Sequence, residues 1–486
     1  MATPIPTNDC GFTLAEIVNA TGGRLIGALS VLARGAATRG VSIDTRSIAR
    51  GALFVALRGT STDGHDYLAN AAERGAAAAI VERGRHHSAL DGIEVDDPLT
   101  ALGQLAHLHL ARTRSARAMP TLAIGGAAGK TSTKELIAAL ARALFGETLS
   151  TPGNLNNRIG VPMTIFTLGA EHRAAVLECG TNQRGEIAAL ARIVEPDTAV
   201  VLNVDLEHTE GLGTLEEIAN EETSLFATAK KFAVASAEEP MVLARIPPRL
   251  VRITFGKSLD AGVRLTRRSV GAAGRTQIGV AIQPSISASG EASNFDVEIG
   301  LLGEASAINC TAAIAAVAAM CGGALDDADL PRIADALAAV KPVAGRLSTF
   351  TLAGIVVVDD TYNASPRSVR AALAASREVA ASLGARLVIA MGDMLEFGAM
   401  SSEVHRTVVG DVLNERPAAF VAVGPEMRAA VAKLGVDSGA VHLAENSQAA
   451  GPIVARTLRK GDVLLVKGSR GTAMERIFDA LREPAR

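Results

Sequence analysis

Residues 121–135 read Thr-Leu-Ala-Ile-Gly-Gly-Ala-Ala-Gly-Lys-Thr-Ser-Thr-Lys-Glu, and this stretch decides the fold. A short apolar run (121–124) has the length of a buried strand, a glycine turn follows, and KELIAALARAL (134–144) carries the period of a helix. Strand, glycine turn and helix make the geometry that cradles a chain of phosphates. Glycines let backbone N–H groups turn toward phosphate oxygens, and the helix start adds partial positive charge. The turn is Gly126-Ala127-Ala128-Gly129; Lys130 has the reach for outer phosphates, and Thr131 brings a hydroxyl suited to Mg²⁺. Because position 124 is isoleucine, the loop reads G-x-x-G-K-T, a shorter cradle than G-x-x-x-x-G-K-[ST].

Working outward, apolar runs alternate with helical patterns for most of the 486 residues, the mark of parallel α/β architecture. Before the loop stand VSID (41–44), ALFVAL (52–57), AAAAIVE (76–82) and GIEVD (92–96); after it come AAVLECG (174–180), TAVVLNV (198–204) and FAVAS (232–236). Between 258 and 300 the pattern turns alternating and polar, as in an antiparallel insert. A last block opens near Lys341-Pro342 and carries IVVVDD (355–360), RLVIAMGD (386–393), AAFVAVG (418–424) and DVLLVKG (462–468). The length exceeds one ordinary core. Three α/β domains are expected, over 1–97, 98–341 and 342–486.

Composition narrows the class. Hydrophobic residues make up 48% and charged residues 20%, which describes a folded chain. A formal net charge of −3 gives no electrostatic reason to expect nucleic acid or an acidic membrane as partner. The start, MATPIPTNDC, lacks the basic and apolar regions of a secretion signal, and no uninterrupted apolar stretch reaches the roughly 18 residues of a membrane span. Cys10, Cys179, Cys310 and Cys321 are scattered without metal-ligand spacing. A cytoplasmic monomer is the working expectation. Glu178 closes the strand AAVLE, where a carboxylate faces the phosphate loop and can serve a phosphate-bound magnesium. His208 follows the next strand.

These motifs resemble the Mur ligases, and within them the MurF branch, which adds D-alanyl-D-alanine in peptidoglycan synthesis. GKTSTKE (129–135), GNLNNRIGVP (153–162), ECGTNQRGEI (178–187), HTEGLG (208–213), GRL (345–347), VVDDTYNASP (357–366), GDMLEFG (392–398) and VKGSRGTAMER (467–476) have MurF counterparts in the same order, as do DTRSIARGALFVAL (44–57) and DGHDY (63–67). The resemblance implies three domains: a first holding the UDP end of a UDP-N-acetylmuramoyl-peptide, a central P-loop parallel-sheet ATPase, and a Rossmann-like third that brings the dipeptide. It also implies ATP and Mg²⁺, and an acyl phosphate that the dipeptide amine attacks. By the same match, Thr131, Glu178 and His208 fall at metal positions and Asn309 at an adenine contact. Arg346 and Asp360 fall at nucleotide contacts from the third domain. Asn154, Asn156 and Asn157 fall near substrate, and Thr45 and Arg46 at the nucleotide-sugar end.

The sequence also departs from the family. Where relatives carry a carbamylated lysine that helps hold a second magnesium, this chain has Glu222. Thr214 and Glu217 form a capping box that opens a helix there, and Leu215, Ile218, Ala219, Glu222, Leu225 and Phe226 share one face. Glu222 is thus a carboxylate on an apolar stripe, expected to take the lysine's place as a metal ligand and catalytic group beside Lys130, Glu178 and His208. Ala127-Ala128 replace a hydroxyl residue and asparagine, Ala305 and Ser306 stand where a histidine-asparagine pair is usual, and Asp205-Leu206-Glu207 replace Gly-Pro-Ala. Two alternatives stay open: a paralogue joining another carboxylate and amine, and a silent nucleotide-binding scaffold.

Overall fold

A computed structural model describes residues 3–27, 37–59, 61–270, 275–435 and 439–482. Three sheets follow one another along the chain. The first runs Arg24–Ile26, Gly92–Val95, Ala78–Glu82, Leu53–Val55, Val41–Ser42, parallel except for its first strand. The central sheet has nine strands in the order Ser293–Ile299, Thr276–Ile282, Val263–Val270, Val251–Gly256, Phe232–Ser236, Thr198–Val201, Thr121–Gly125, Ala174–Glu178, Thr148–Ser150. The third runs Ser348–Leu352, Ile355–Asp360, Val463–Lys467, Leu387–Gly392, Ala419–Val423, Val441–Ala444, parallel after an antiparallel first strand.

The alternating stretch after residue 258 is not a body of its own. Val263–Val270 pairs parallel with Val251–Gly256 and antiparallel with Thr276–Ile282, so the insert extends the central sheet.

Side-chain period two divides that sheet between two cores. Leu122, Ile124, Val176, Val200 and Val234 face the buried helices Lys130–Phe145 and Gly303–Met320. Ala123, Ala175, Leu177, Ala199 and Val201 face the other way, into a core that continues to Phe12, Ile17, Leu53 and Ile80 of the first sheet's unit. The first and second units therefore share one apolar core. The third meets the second through both apolar and polar contacts: Leu302 is buried in the third unit's core, Arg268 forks onto Glu378 at 2.8 and 2.5 Å, and the Arg367 N–H donates to Asp205 at 3.1 Å.

Among the described residues Gly303–Met320 is the one helix long and apolar enough to cross a membrane, but 72% of it is buried inside the protein. Its alanines face the central sheet and the phosphate-loop helix instead. The four cysteines are free, and burial pushes the Cys10 and Cys310 thiols up to about 12, so they stay protonated.

Candidate active site

The strand Thr121–Gly125 delivers the chain into the phosphate loop, and the helix Lys130–Phe145 leaves it. Gly126 takes φ +117°, and a Cβ there would stand 2.9 Å from the Leu202 nitrogen and 3.1 Å from that of Asn203. Both backbone conformation and close approach demand glycine. Gly129, at φ +90°, lies under the Asn309 side chain, whose Oδ1 would come within 3.1 Å of an added Cβ. Asn309 is thus brought over the start of the phosphate-loop helix.

Three carboxylates surround Lys130. Glu178 stands opposite Ile124 on the neighbouring strand. Its Oε1 accepts from the Thr131 hydroxyl at 3.0 Å and from Asn156 Nδ2 at 2.8 Å, while its Oε2 is buried without a partner. Glu222 is fully buried; its Oε2 accepts the Gly126 N–H at 2.6 Å, and its Oε1 is buried and unpartnered. Glu207 holds an ion pair with Lys130 at 3.6 Å, too long for a hydrogen bond. The ammonium itself bonds to the Gly126 carbonyl and, at 3.3 Å, to that of Ala127.

Burial dominates the electrostatics. It pushes Glu207 up to about 8, against the pull of Lys130 and with the help of Glu222. It raises Glu222 as well, though Lys130 and the Gly126 N–H oppose it. For Lys130 burial pulls downward, but the charges of Glu207, Glu222 and Glu178 together outweigh it and the ammonium is strengthened.

The helix that carries Glu222 spans Leu215–Thr223, and the Thr214–Glu217 capping box that starts it is present with both bonds. One expectation there fails. Leu215 is 38% exposed, so the buried stripe begins at Ile218. Glu221 faces elsewhere, accepting the N–H groups of Gly185 and Ile187 at 2.7 and 2.8 Å.

His208 is drawn to the third unit. It adopts φ +49° and its Nδ1 pairs with Glu396, itself at φ +68°. Beside this pair the Thr209 hydroxyl donates to the Phe397 carbonyl at 2.9 Å and the Glu210 N–H to that of Glu396 at 3.2 Å. No hydrogen bond or ion pair among the described residues joins His208 to Glu178 or Glu222. Glu207, His208, Ser365, Glu396, Ser469 and Arg470 line a cleft between the two units.

The other expected site residues separate into groups. Arg346 stacks on the Tyr362 ring at 3.9 Å and lines a second crevice with Ser132, Glu135, Ser306 and Lys341. Asp360 is engaged at both oxygens, by the Leu347 N–H at 3.0 Å and by the buried Lys467 ammonium at 2.5 Å. Of the loop asparagines only Asn156 reaches Glu178; Asn157 Oδ1 accepts the Gly160 N–H at 2.8 Å, and Asn154 meets the Thr3 hydroxyl at 2.7 Å. Thr45 is buried, whereas Arg46 is exposed and forked onto Asp44. Neither touches the phosphate loop.

Sequence reasoning missed Lys134, fully buried with its ammonium on the Thr151 carbonyl at 2.6 Å, along with Lys467 and Asn203. Lys467 and Asn203 each end or follow an apolar run that meets the site (VLLVK, TAVVLN), and a polar residue there was the available signal.

The donors present fit magnesium. Glu178 Oε2 and Glu222 Oε1 are buried oxygens with unspent bonding capacity, beside the Thr131 hydroxyl. Among the described residues no group of three or more His, Cys, Asp and Glu is arranged to hold an ion unaided. A magnesium borne by phosphates needs only one or two protein ligands.

Comparison with known proteins agrees with this construction. Residues 38–109 match the Mur ligase family, catalytic domain; 124–317 the Mur ligase middle domain; and 345–470 the Mur ligase, glutamate ligase domain. The UDP-N-acetylmuramoyl-tripeptide–D-alanyl-D-alanine ligase of Treponema pallidum is 32% identical over 91% of this chain and 94% of its own length. Among solved structures, MurF of Acinetobacter baumannii superposes with a TM-score of 0.85 at 27% identity, over 98% of this chain and 99% of that one. MurF of Thermotoga maritima in complex with ADP gives 0.77 at 27%, over 91% and 96%. With domain matches in the family's order and a relative alike over nine-tenths of its length, the chain belongs to the Mur ligase family.

Proposed function

We propose that this chain is an ATP-dependent amide ligase of the MurF type, joining D-alanyl-D-alanine to UDP-N-acetylmuramoyl-tripeptide through an acyl phosphate, in the cytoplasm. The observation that carries the reading is a glycine phosphate loop whose lysine sits among three buried carboxylates, at the edge of a cleft shared with another unit. In this reading residues 1–97 take the UDP end, with Thr45 and Arg46 near it. Residues 98–341 take ATP, with Asn309 and Arg346 toward the nucleoside, and 342–486 bring the dipeptide.

Thr131, Glu178 and Glu222 would hold magnesium, with His208 a fourth candidate that must first part from Glu396. Bound there, the ion supplies positive charge to phosphates and carboxylate that otherwise repel. Lys130 does the same from the loop and steadies charge on the transferring phosphoryl group. The tripeptide carboxylate oxygen attacks the γ-phosphorus, the bond to the β-phosphate oxygen breaks, and ADP leaves. The neutral dipeptide amine then attacks the acyl carbon. A tetrahedral adduct collapses, the C–O bond to phosphate breaks, and the proton shed by nitrogen leaves with the phosphate. Thr209, bonded to the Phe397 carbonyl, holds the third unit over the cleft and keeps water from the acyl phosphate. Asp360, tied to Lys467, fixes the strand end that faces the nucleotide.

Phosphate release tests this reading. It should require ATP, magnesium, the UDP-linked tripeptide and D-alanyl-D-alanine together. Release that ignores the dipeptide, or that appears only with another carboxylate and amine, overturns it.

A further inference from the structure

Asn203 lies just beyond the strand Thr198–Val201, 75 residues from the phosphate loop in sequence, yet it is bonded to that loop three times. Its Oδ1 accepts the Ala128 N–H at 2.8 Å, its Nδ2 donates to the Ala128 carbonyl at 2.9 Å, and its own carbonyl accepts the Ala127 N–H at 3.0 Å. The residue is 8% exposed. A peptide N–H can only donate and a carbonyl only accept, so the partners themselves fix which way the amide points. Resting on the ligase reading, we propose that Asn203 is a positioning residue for the nucleotide: it sets the peptide planes of the phosphate loop so that no carbonyl opposes the phosphates.

Every peptide group of Gly126, Ala127 and Ala128 has a partner. The N–H groups of Gly126, Ala127 and Ala128 go to Glu222, the Asn203 carbonyl and the Asn203 side chain. The carbonyls of Gly126 and Ala127 contact the Lys130 ammonium, and that of Ala128 is held by Asn203 Nδ2. Without Asn203 the Ala128 carbonyl is the one with no donor, free to swing its negative end toward the anion. The N–H groups of Lys130, Thr131 and Ser132 begin the helix and have no acceptor one turn back within it, so they remain to meet phosphate. Ala127 and Ala128 bring no polar side chain to this task, which leaves it to Asn203.

The test is equilibrium binding of MgADP to the full chain, together with separate KM values for ATP, the carboxylate substrate and the amine. Asn203→Ala should weaken MgADP about 30-fold, the factor expected from two hydrogen bonds of ordinary net worth. KM for ATP should rise by a similar factor while the other two stay within about twofold. Asn203→Asp keeps the size and the acceptor, loses the donor to Ala128 and guards against misfolding of the alanine variant; it too should bind MgADP about fivefold more weakly. MgADP affinity within about threefold of the parent in either folded variant, or three KM values rising together, overturns the assignment. A parent chain that binds no MgADP overturns the ligase reading instead.

Discussion

Replacing Glu222 by glutamine separates a working carboxylate from a structural one. The two side chains have nearly the same shape. Glutamine can keep its oxygen on the Gly126 N–H, where Glu222 accepts at 2.6 Å, and place its NH₂ where the unpartnered Oε1 lies. The retained bond falls from charge-assisted to neutral, a loss of about 1 kcal/mol. The folded state is also relieved of a buried charge that burial disfavours, since the Glu222 pKa is raised. That gain is of similar size, so the nucleotide-free melting temperature should move by no more than about 2–4 °C in either direction. Turnover is a different matter. On the proposed ligand role a negative charge beside the phosphate-bound cation is lost, and removing one such electrostatic element costs about 10²–10³ in rate, or ~2.7–4 kcal/mol. Phosphate release at saturating magnesium, beside a melting curve without nucleotide, gives both quantities. A near-normal rate refutes the ligand role, and a collapse in melting temperature refutes the claim that the loop bond survives.

Two further outcomes can be checked. Glu207 has a folded pKa raised to about 8 by burial, well above the usual carboxylate value, so its stabilising contribution is full at low pH and is lost as pH rises through about 8. Glu207→Gln should therefore melt increasingly above the parent between pH 5 and 8, and a constant difference contradicts the assignment. Arg268 and Glu378, 18% and 27% exposed, form a fork between the second and third units. A double-mutant cycle to alanine should give a coupling of roughly 1 kcal/mol in stability, and zero coupling dismisses the brace.

What the sequence made legible depended on burial and on distance along the chain. Strands such as TLAI, AAVLE and TAVV are buried throughout and announce themselves as apolar runs. The strands it missed are short or half-exposed. Arg24–Ile26 and Val441–Ala444 are sheet edges with little apolar signal, and Ser348–Leu352 alternates intermediate and exposed residues. The loop, Glu178 and Glu222 could be read locally because a cap, a strand end or a helical stripe marks each one. The partners could not. Asp360 meets Lys467 across 107 residues and His208 meets Glu396 across 188, and nothing in either neighbourhood names the other. Leu215 failed because a periodic pattern does not say where along a helix the core begins.

The helix Gly303–Met320 has a consequence for how this enzyme can change. One end carries Asn309 against Gly129, the same end abuts the third unit where Gly303 faces Ala375, and its middle is alanine packed on the phosphate-loop helix. Small side chains bring these backbones close and leave no slack to absorb an added methylene. Bulk introduced at Ala312 or Ala316, buried within the helix packing, would be relieved by shifting the loop or the third unit. Variation that retunes nucleotide affinity in this chain therefore has a route through its interior, and inhibitor resistance would be sought among those alanines as well as in the cleft.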